Sequence, residues 1–177
     1  MNNLKEQIMG VIVNEFNRNR IIDLNKTLSN QDIAYLKSVE EIDKVREFVG
    51  HPENILGSNL TKHGEIAEQV EVGVRRAKSL LHNENPTATF NGVGRTAPED
   101  YIIAGEKVQS KFINGTNNGL NHVLQHMNKY DEFYKDGYYH IPKDQYEVIE
   151  KVMEGKHVDG LNSKTEFENG YMSYIKI

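Results

Sequence analysis

Apolar side chains recur three or four positions apart through the N-terminal part of the chain, which is the spacing of an amphipathic helix. Gly50 and Pro52 end this pattern, because glycine favours a helix C-terminus and proline cannot continue a helix. We therefore predict a helical N-terminal extension over residues 1–57. Within it, Ser29 and Asp32 resemble a capping box, which predicts the start of a separate helix at that point.

A second block begins near Lys62, where the periodicity alternates between helical and strand patterns. Its predicted elements are a helix from 62 to before 85, strands at 87–90, 100–104 and 107–113, a helix from 120, and a strand at 138–141. A helix over 144–153 and a tail strand within 171–177 follow. Residues 62–177 are thus predicted to form a mixed α/β core with a C-terminal helix and tail.

Composition and charge narrow the class of protein. The 177 residues contain no cysteine, which excludes disulfides and thiolate metal sites and fits the reducing cytoplasm. No segment approaches the roughly 18 apolar residues of a membrane span, so we expect no membrane attachment. The net charge of -5 contrasts with the basic surface of most duplex-binding proteins. Any contact with nucleic acid must therefore come from local patches.

The most informative segment is a predicted β-hairpin between residues 100 and 113. If Gly105-Glu106 is its two-residue loop, Asp100 lies opposite Lys111. Cross-strand partners share a face, as do alternate residues along a strand, so Gln109 projects on the same side as these two. One side of the hairpin is therefore predicted to carry a carboxylate, a side-chain carbonyl and an amine.

This combination suits metal-dependent phosphodiester chemistry. Asp100 can hold a hard cation such as Mg²⁺ or Mn²⁺, which prefers oxygen ligands. The side-chain carbonyl of Gln109 and the backbone carbonyl of Ser110 are candidate further ligands. Lys111 can orient an attacking water or stabilise charge that develops on a phosphate. Glu68, on the predicted helix that begins near residue 62, is the candidate second carboxylate.

These motifs resemble those of the PD-(D/E)XK nuclease superfamily, the restriction-endonuclease-like proteins. The resemblance covers residues 62–141 and depends on the order helix, strand, strand, strand, helix, strand. It also depends on three motifs, namely Gly64-Glu65-Ile66-Ala67-Glu68 on the first helix, Pro98-Glu99-Asp100 at the second strand, and Gln109-Ser110-Lys111 on the third.

The resemblance implies an αβββαβ core and a metal-dependent endonuclease that hydrolyses nucleic acid, with DNA the expected substrate. It assigns Asp100 as the central metal ligand, Lys111 as the catalytic lysine and Glu68 as the helix carboxylate. Gln109 stands where the family usually has an acid. This departure lowers the negative charge available to Mg²⁺ and places the metal affinity in doubt.

Two other interpretations stay open. Asp100 and Lys111 could form only a surface ion pair, which contributes little to stability. Alternatively, the same fold could act as a catalytically degenerate module for nucleic-acid binding or protein assembly. In that case the helices of residues 1–57, which carry two apolar stripes, would serve as the surface for homo-oligomer formation.

His122 and His126 are a separate candidate pair, because residues four apart on a helix share a face and two histidines there can bind Zn²⁺. The segment between them lacks the glutamate of the zinc-protease motif, and no third ligand is evident in the sequence. A polar helix face is the alternative interpretation of these two residues.

Overall fold

The structure, a computed structural model, describes residues 2–51, 53, 55, 62–94, 96–153 and 175–176. The helices are α1 (Asn2–Gly50), α2 (Lys62–Leu81), α3 (Thr116–Lys129) and α4 (Lys143–Met153). The strands are β1 (Ala88–Thr89), β2 (Tyr101–Ile103), β3 (Glu106–Ser110), β4 (Gly137–His140) and β5 (Ile175–Lys176), with a 3-10 turn at Phe133–Lys135 before β4. The protein is mixed α and β. The order of elements from α2 to β4 is the predicted one, while most of the predicted tail strand lies outside the described residues.

The α1 helix is continuous over 49 residues, so the predicted helix start at Ser29 is wrong. A capping box needs a glutamate or glutamine at its third helical position, and the shorter Asp32 does not supply that side chain. Neither proline nor glycine interrupts the segment between Gly10 and Gly50. Nothing local therefore breaks the helix.

The C-terminal half of α1 packs on α2 through a face of small and polar side chains. Its buried residues are Ala34, Ser38 and Glu41. Gly73 of α2 lets the helices approach closely, since a β-carbon built there would lie 2.1 Å from Val45 Cγ2. Arg76 Nε donates to Glu41 Oε2 at 2.7 Å and Arg76 Nη1 donates to the carbonyl of Ala88 at 3.3 Å. The same arginine therefore ties α1 to β1.

A mixed sheet in the order β1-β2-β3-β4-β5 forms the centre of the protein. The first three strands are antiparallel, whereas β4 runs parallel to β3 and β5 parallel to β4. One cluster of buried side chains joins the sheet to α2: Val72, Ala88, Tyr101, Ile103, Val108 and Tyr138. The other joins it to α3: Leu120, Val123, Met127, Phe133, Tyr139 and Ile141. Apolar packing on both faces thus fixes the position of the sheet between the helices.

The hairpin between β2 and β3 turns one residue earlier than predicted. Its loop is Ala104-Gly105, and Ile103 pairs with Glu106. Both loop residues have positive φ, 52° and 87°, as the tight two-residue hairpin turns of the type I′ family require. The predicted pairing is therefore wrong by two residues. Because side chains alternate with a period of two, this shift leaves every side chain on its predicted face.

Substitution of Gly73 tests the packing of α1 on α2. We expect Gly73→Ala to lower the free energy of unfolding by about 1–3 kcal/mol, because the new methyl group meets the stiff, branched Val45. Gly64→Ala is the matched control, since a β-carbon there meets nothing within 4 Å. It should leave stability unchanged or raise it by up to about 1 kcal/mol through helix propensity. Urea unfolding measures both, and equal effects would contradict this packing.

Candidate functional site

The predicted site residues meet at one end of the sheet, where β2 begins and β3 ends. Asp100 directly precedes β2, and Lys111 directly follows β3. The neighbouring strand β4 also ends here, and the Lys111 N–H donates to the carbonyl of His140 at 2.8 Å. The antiparallel β2–β3 pair and the parallel β3–β4 pair therefore bring these chain segments to a common edge.

Two donors from β3 hold the carboxylate of Asp100. The backbone N–H of Ser110 donates to Asp100 Oδ2 at 2.7 Å, and the side-chain amide of Gln109 donates to the same oxygen. The Gln109 amide also donates to the carbonyl of Ser110 at 3.2 Å. Both of these acceptors require the NH₂ group, so the orientation of the amide follows from its partners. For the side-chain carbonyl of Gln109 to act as the predicted metal ligand, the amide would have to rotate and give up these two hydrogen bonds.

Glu68 reaches the same edge from α2. Burial, and after it the negative charges of Asp100 and Glu65, raises the pKa of Glu68 to about 8, while Lys111 acts in the opposite direction. Burial likewise raises the pKa of Asp100, against the effect of the Ser110 N–H and the Lys111 charge. The charges of Asp100 and Lys111 thus act on Glu68, and the charge of Lys111 acts on Asp100, which indicates that the three groups lie within electrostatic reach of one another.

Lys111 completes this group. Burial lowers the pKa of its ammonium, and the charges of Asp100 and Glu68 oppose that change. The structure therefore brings together the three charged residues that the sequence predicted from separate elements, with Gln109 and Ser110 beside them. Chemically, two partly desolvated carboxylates next to an amine, with the charge of Asp100 disfavouring the ionised form of Glu68, can accept a cation.

The donor set fits Mg²⁺ or Mn²⁺. Both ions prefer oxygen ligands, and Mg²⁺ is commonly held by one or two carboxylates with waters and substrate phosphates. Within the described part of the chain, no group of three or more acidic or histidine side chains is placed to hold a metal. If a cation binds at this edge, Glu68 and Asp100 are the carboxylates that could hold it, and its charge would lower the pKa that burial raises in each of them.

His126 is a residue of this region whose structural role the sequence did not reveal. Its Nε2 lies 2.9 Å from the carbonyl oxygen of Pro98 and its Nδ1 lies 2.7 Å from the hydroxyl of Tyr139. Because a carbonyl oxygen only accepts, Nε2 carries the proton and Nδ1 accepts from the tyrosine. His126 therefore anchors the backbone two residues before Asp100. Both ring nitrogens are engaged, which disfavours the zinc pair with the exposed His122.

The environment of His126 keeps it neutral. Burial first, and then the nearby charge of Lys111, lowers its pKa to about 4. A neutral imidazole at pH 7 keeps the fixed tautomer that these two hydrogen bonds need. The spacing of His122 and His126 was the only sequence signal here, and it indicated a polar helix face or a zinc pair rather than the contact with Pro98.

A second polar cluster lies on the α2 face of the same edge. The hydroxyl of Tyr101 and Nδ1 of His140 are 2.7 Å apart, and Glu71 Oε1 lies 3.7 Å from that nitrogen. Ser110 Oγ and Glu99 Oε2 are buried with no hydrogen-bond partner among the described residues. Strand alternation alone could not identify this cluster, since Tyr101 and His140 occupy inward positions that usually belong to the core.

No family model, curated protein or solved structure matches this chain. The site is therefore interpreted from its own residues. None of the helices in the described part of the protein is long and apolar enough to cross a membrane.

The raised pKa of Glu68 predicts a pH dependence of stability. A carboxyl group with a higher pKa in the folded state stabilises the fold fully below its ordinary value of 4.5 and loses that contribution as the pH rises through about 8. We expect Glu68→Gln to become increasingly more stable than the wild type between pH 5 and pH 8.5. Urea unfolding across this range measures the difference. Glu47→Gln on the exposed side of α1 is the control, and parallel curves for all three proteins would contradict the burial of Glu68.

Proposed function

We propose that this protein is a metal-dependent nuclease that hydrolyses phosphodiester bonds, with DNA as its substrate. The observation that carries the proposal is the meeting of Glu68, Asp100 and Lys111 at one end of the sheet, where their charges influence one another. Perturbed acids and bases that gather at one edge are typical of catalytic sites.

The topology supports the same proposal. A helix, three antiparallel strands, a second helix and a strand parallel to the third follow one another from α2 to β4. This is the order implied by the resemblance to the PD-(D/E)XK superfamily. The fold class that we propose is therefore the restriction-endonuclease-like core, with α1 as an N-terminal extension.

In the proposed mechanism, Glu68 and Asp100 would hold Mg²⁺ or Mn²⁺, and the bound ion would supply Lewis-acid polarisation and lower the pKa of a water. Lys111 stabilises charge on the scissile phosphate through its ammonium, which the two carboxylates keep charged against the effect of burial. The Ser110 N–H orients Asp100, and the Gln109 amide holds the same oxygen. Glu68 must give up its proton to act as a ligand, so metal affinity should rise with pH.

A second candidate function is a catalytically degenerate module that binds nucleic acid or assembles with protein. The observation that favours it is the Gln109 amide, which donates to Asp100 at the position where the PD-(D/E)XK nucleases that the sequence resembles have a further acid. A donor at this position neutralises part of the charge that a metal would need. Metal binding and cleavage measured on the same protein separate the two candidates.

Cleavage assays test the catalytic proposal. We expect the wild type to cleave plasmid or single-stranded DNA in the presence of Mg²⁺ or Mn²⁺, and Lys111→Ala to lower the rate by about 10²–10³-fold, as the loss of one transition-state donor does. Lys107→Ala is the matched control, since Lys107 lies on β3 and Lys111 directly follows that strand. The Lys107 side chain is 39% exposed and ion-paired with Asp136 at 2.9 Å, so the rate should not change. If wild type and Lys111→Ala are equally inert on plasmid, single-stranded DNA and RNA, the nuclease proposal fails.

Calorimetric titration with Mn²⁺ tests the metal site independently of cleavage. Asp100→Asn should abolish binding, because it removes one of two carboxylates. Gln109→Glu should tighten binding, because it adds a negative oxygen ligand where an amide now stands. In the absence of metal, the same variant should be less stable than the wild type, since the new carboxylate faces Asp100. Unchanged Mn²⁺ affinity in both variants would rule out a cation at this position.

A further inference from the structure

The N-terminal two thirds of α1 is an extended helix with no tertiary partner among the described residues. Every residue from 5 to 33 is exposed, although the segment is rich in large apolar side chains. A helix in water is marginal without packing of an apolar face, and most helical stability in proteins comes from such packing. The exposed apolar surface therefore requires a partner.

One face of α1 has the spacing of a helix-packing seam. Its apolar members are Val13, Ile21, Leu24, Leu28, Tyr35 and Val39, with Asn17 and Gln31 completing the series at steps of three or four residues. The six apolar side chains are between 36% and 59% exposed. We call this face the α1 seam. Steps of three and four are those that place side chains into the holes of a facing helix.

The α1 seam is distinct from the face that packs on α2. Ala34 and Ser38 are buried against that helix, whereas the residues that follow each of them, Tyr35 and Val39, are exposed. The seam therefore continues beside the α1–α2 contact and is not covered by it. A partner helix can lie along its whole length of about 39 Å, at 1.5 Å per residue.

The charge of α1 indicates what kind of partner fits. Residues 5–40 contain five acidic and five basic side chains, interspersed along the helix. Such a surface offers no net attraction to a polyanion or to an anionic membrane. The partner that fits α1 is a helix with no net charge and with apolar side chains at the same spacing. A second copy of α1 meets both requirements.

The area of the seam reaches the lower bound of specific interfaces. Its six apolar residues expose roughly 600 Å² per chain, so complete burial in a pair of copies would remove about 1,200 Å² from water. Asn17 and Gln31 interrupt the apolar series, and polar residues within such a seam fix register and the number of helices.

We propose that two copies of this chain form a homodimer by packing their α1 seams against each other. The dimer stands independently of the nuclease proposal, since none of the site residues belongs to the seam. It gives the N-terminal part of α1 the partner helix that the single chain does not provide.

Sedimentation equilibrium of the full chain tests the dimer. The expected mass is twice the 20.3 kDa of one chain at micromolar concentration. Leu24→Glu combined with Leu28→Glu places two charges in the seam and should weaken association at least a hundredfold, which gives monomers. Asn25→Glu combined with Ser29→Glu adds the same two charges one position further along the helix, outside the seam, and should leave the dimer intact.

Helix content measured by circular dichroism provides the second readout. The seam variant should lose part of its helical signal, because the N-terminal part of α1 is then unpacked, while cooperative urea unfolding of the remaining core persists. A monomeric wild type, a mass of three or more chains, or a dimer that survives the seam substitutions would overturn the proposal. So would a control variant that dissociates as readily as the seam variant.

Discussion

The pairing of β2 with β3 is the constraint on which both the core and the site depend. The Ala104-Gly105 turn, with positive φ at both residues, fixes which residues lie opposite each other. Because side chains alternate between the two faces of a strand, Tyr101 and Val108 pack against α2. Asp100 lies on the opposite face of the sheet. A slip of one residue would exchange these faces, placing the carboxylate in the apolar layer. Core stability therefore enforces the geometry of the site.

Three partly buried charged residues lie at the same edge of the sheet, which is unusual for residues whose role is only to pack a core. Burial disfavours the charged forms of Glu68, Asp100 and Lys111 alike. Apolar residues of similar volume are often at least as stabilising as buried charges, so such a cluster is costly to the fold. Hydrogen bonds from Ser110 and Gln109 offset part of this cost at Asp100. The phosphodiester chemistry that we propose for this site would explain why the fold tolerates that cost.

The α2 helix connects the proposed site to the proposed dimer. Glu68 lies near the N-terminus of α2. One to two turns later, Gly73 and Arg76 of the same helix contact α1. Arg76 also donates to the carbonyl of Ala88 in β1, so one arginine of α2 links both α1 and the sheet. Any displacement of α1 would act on the helix that carries Glu68. The proposed dimer helix and the proposed site thus both involve α2.

The sequence by itself determined the order of elements from α2 to β4 and the shared face of Asp100 and Gln109, because helical and strand periodicities are local and survive a two-residue error in register. It also located the end of α1 at Gly50, because the effects of glycine and of the following Pro52 on a helix are local. Contacts between distant segments decided the rest. The orientation of the Gln109 amide depends on Asp100, and the tautomer of His126 depends on Pro98 and Tyr139. The raised pKa of Glu68 depends on its partial burial in the folded chain and on the charge of Asp100. Only the tertiary structure brings those groups together, and desolvation, which has no local signature in the sequence, sets their chemistry.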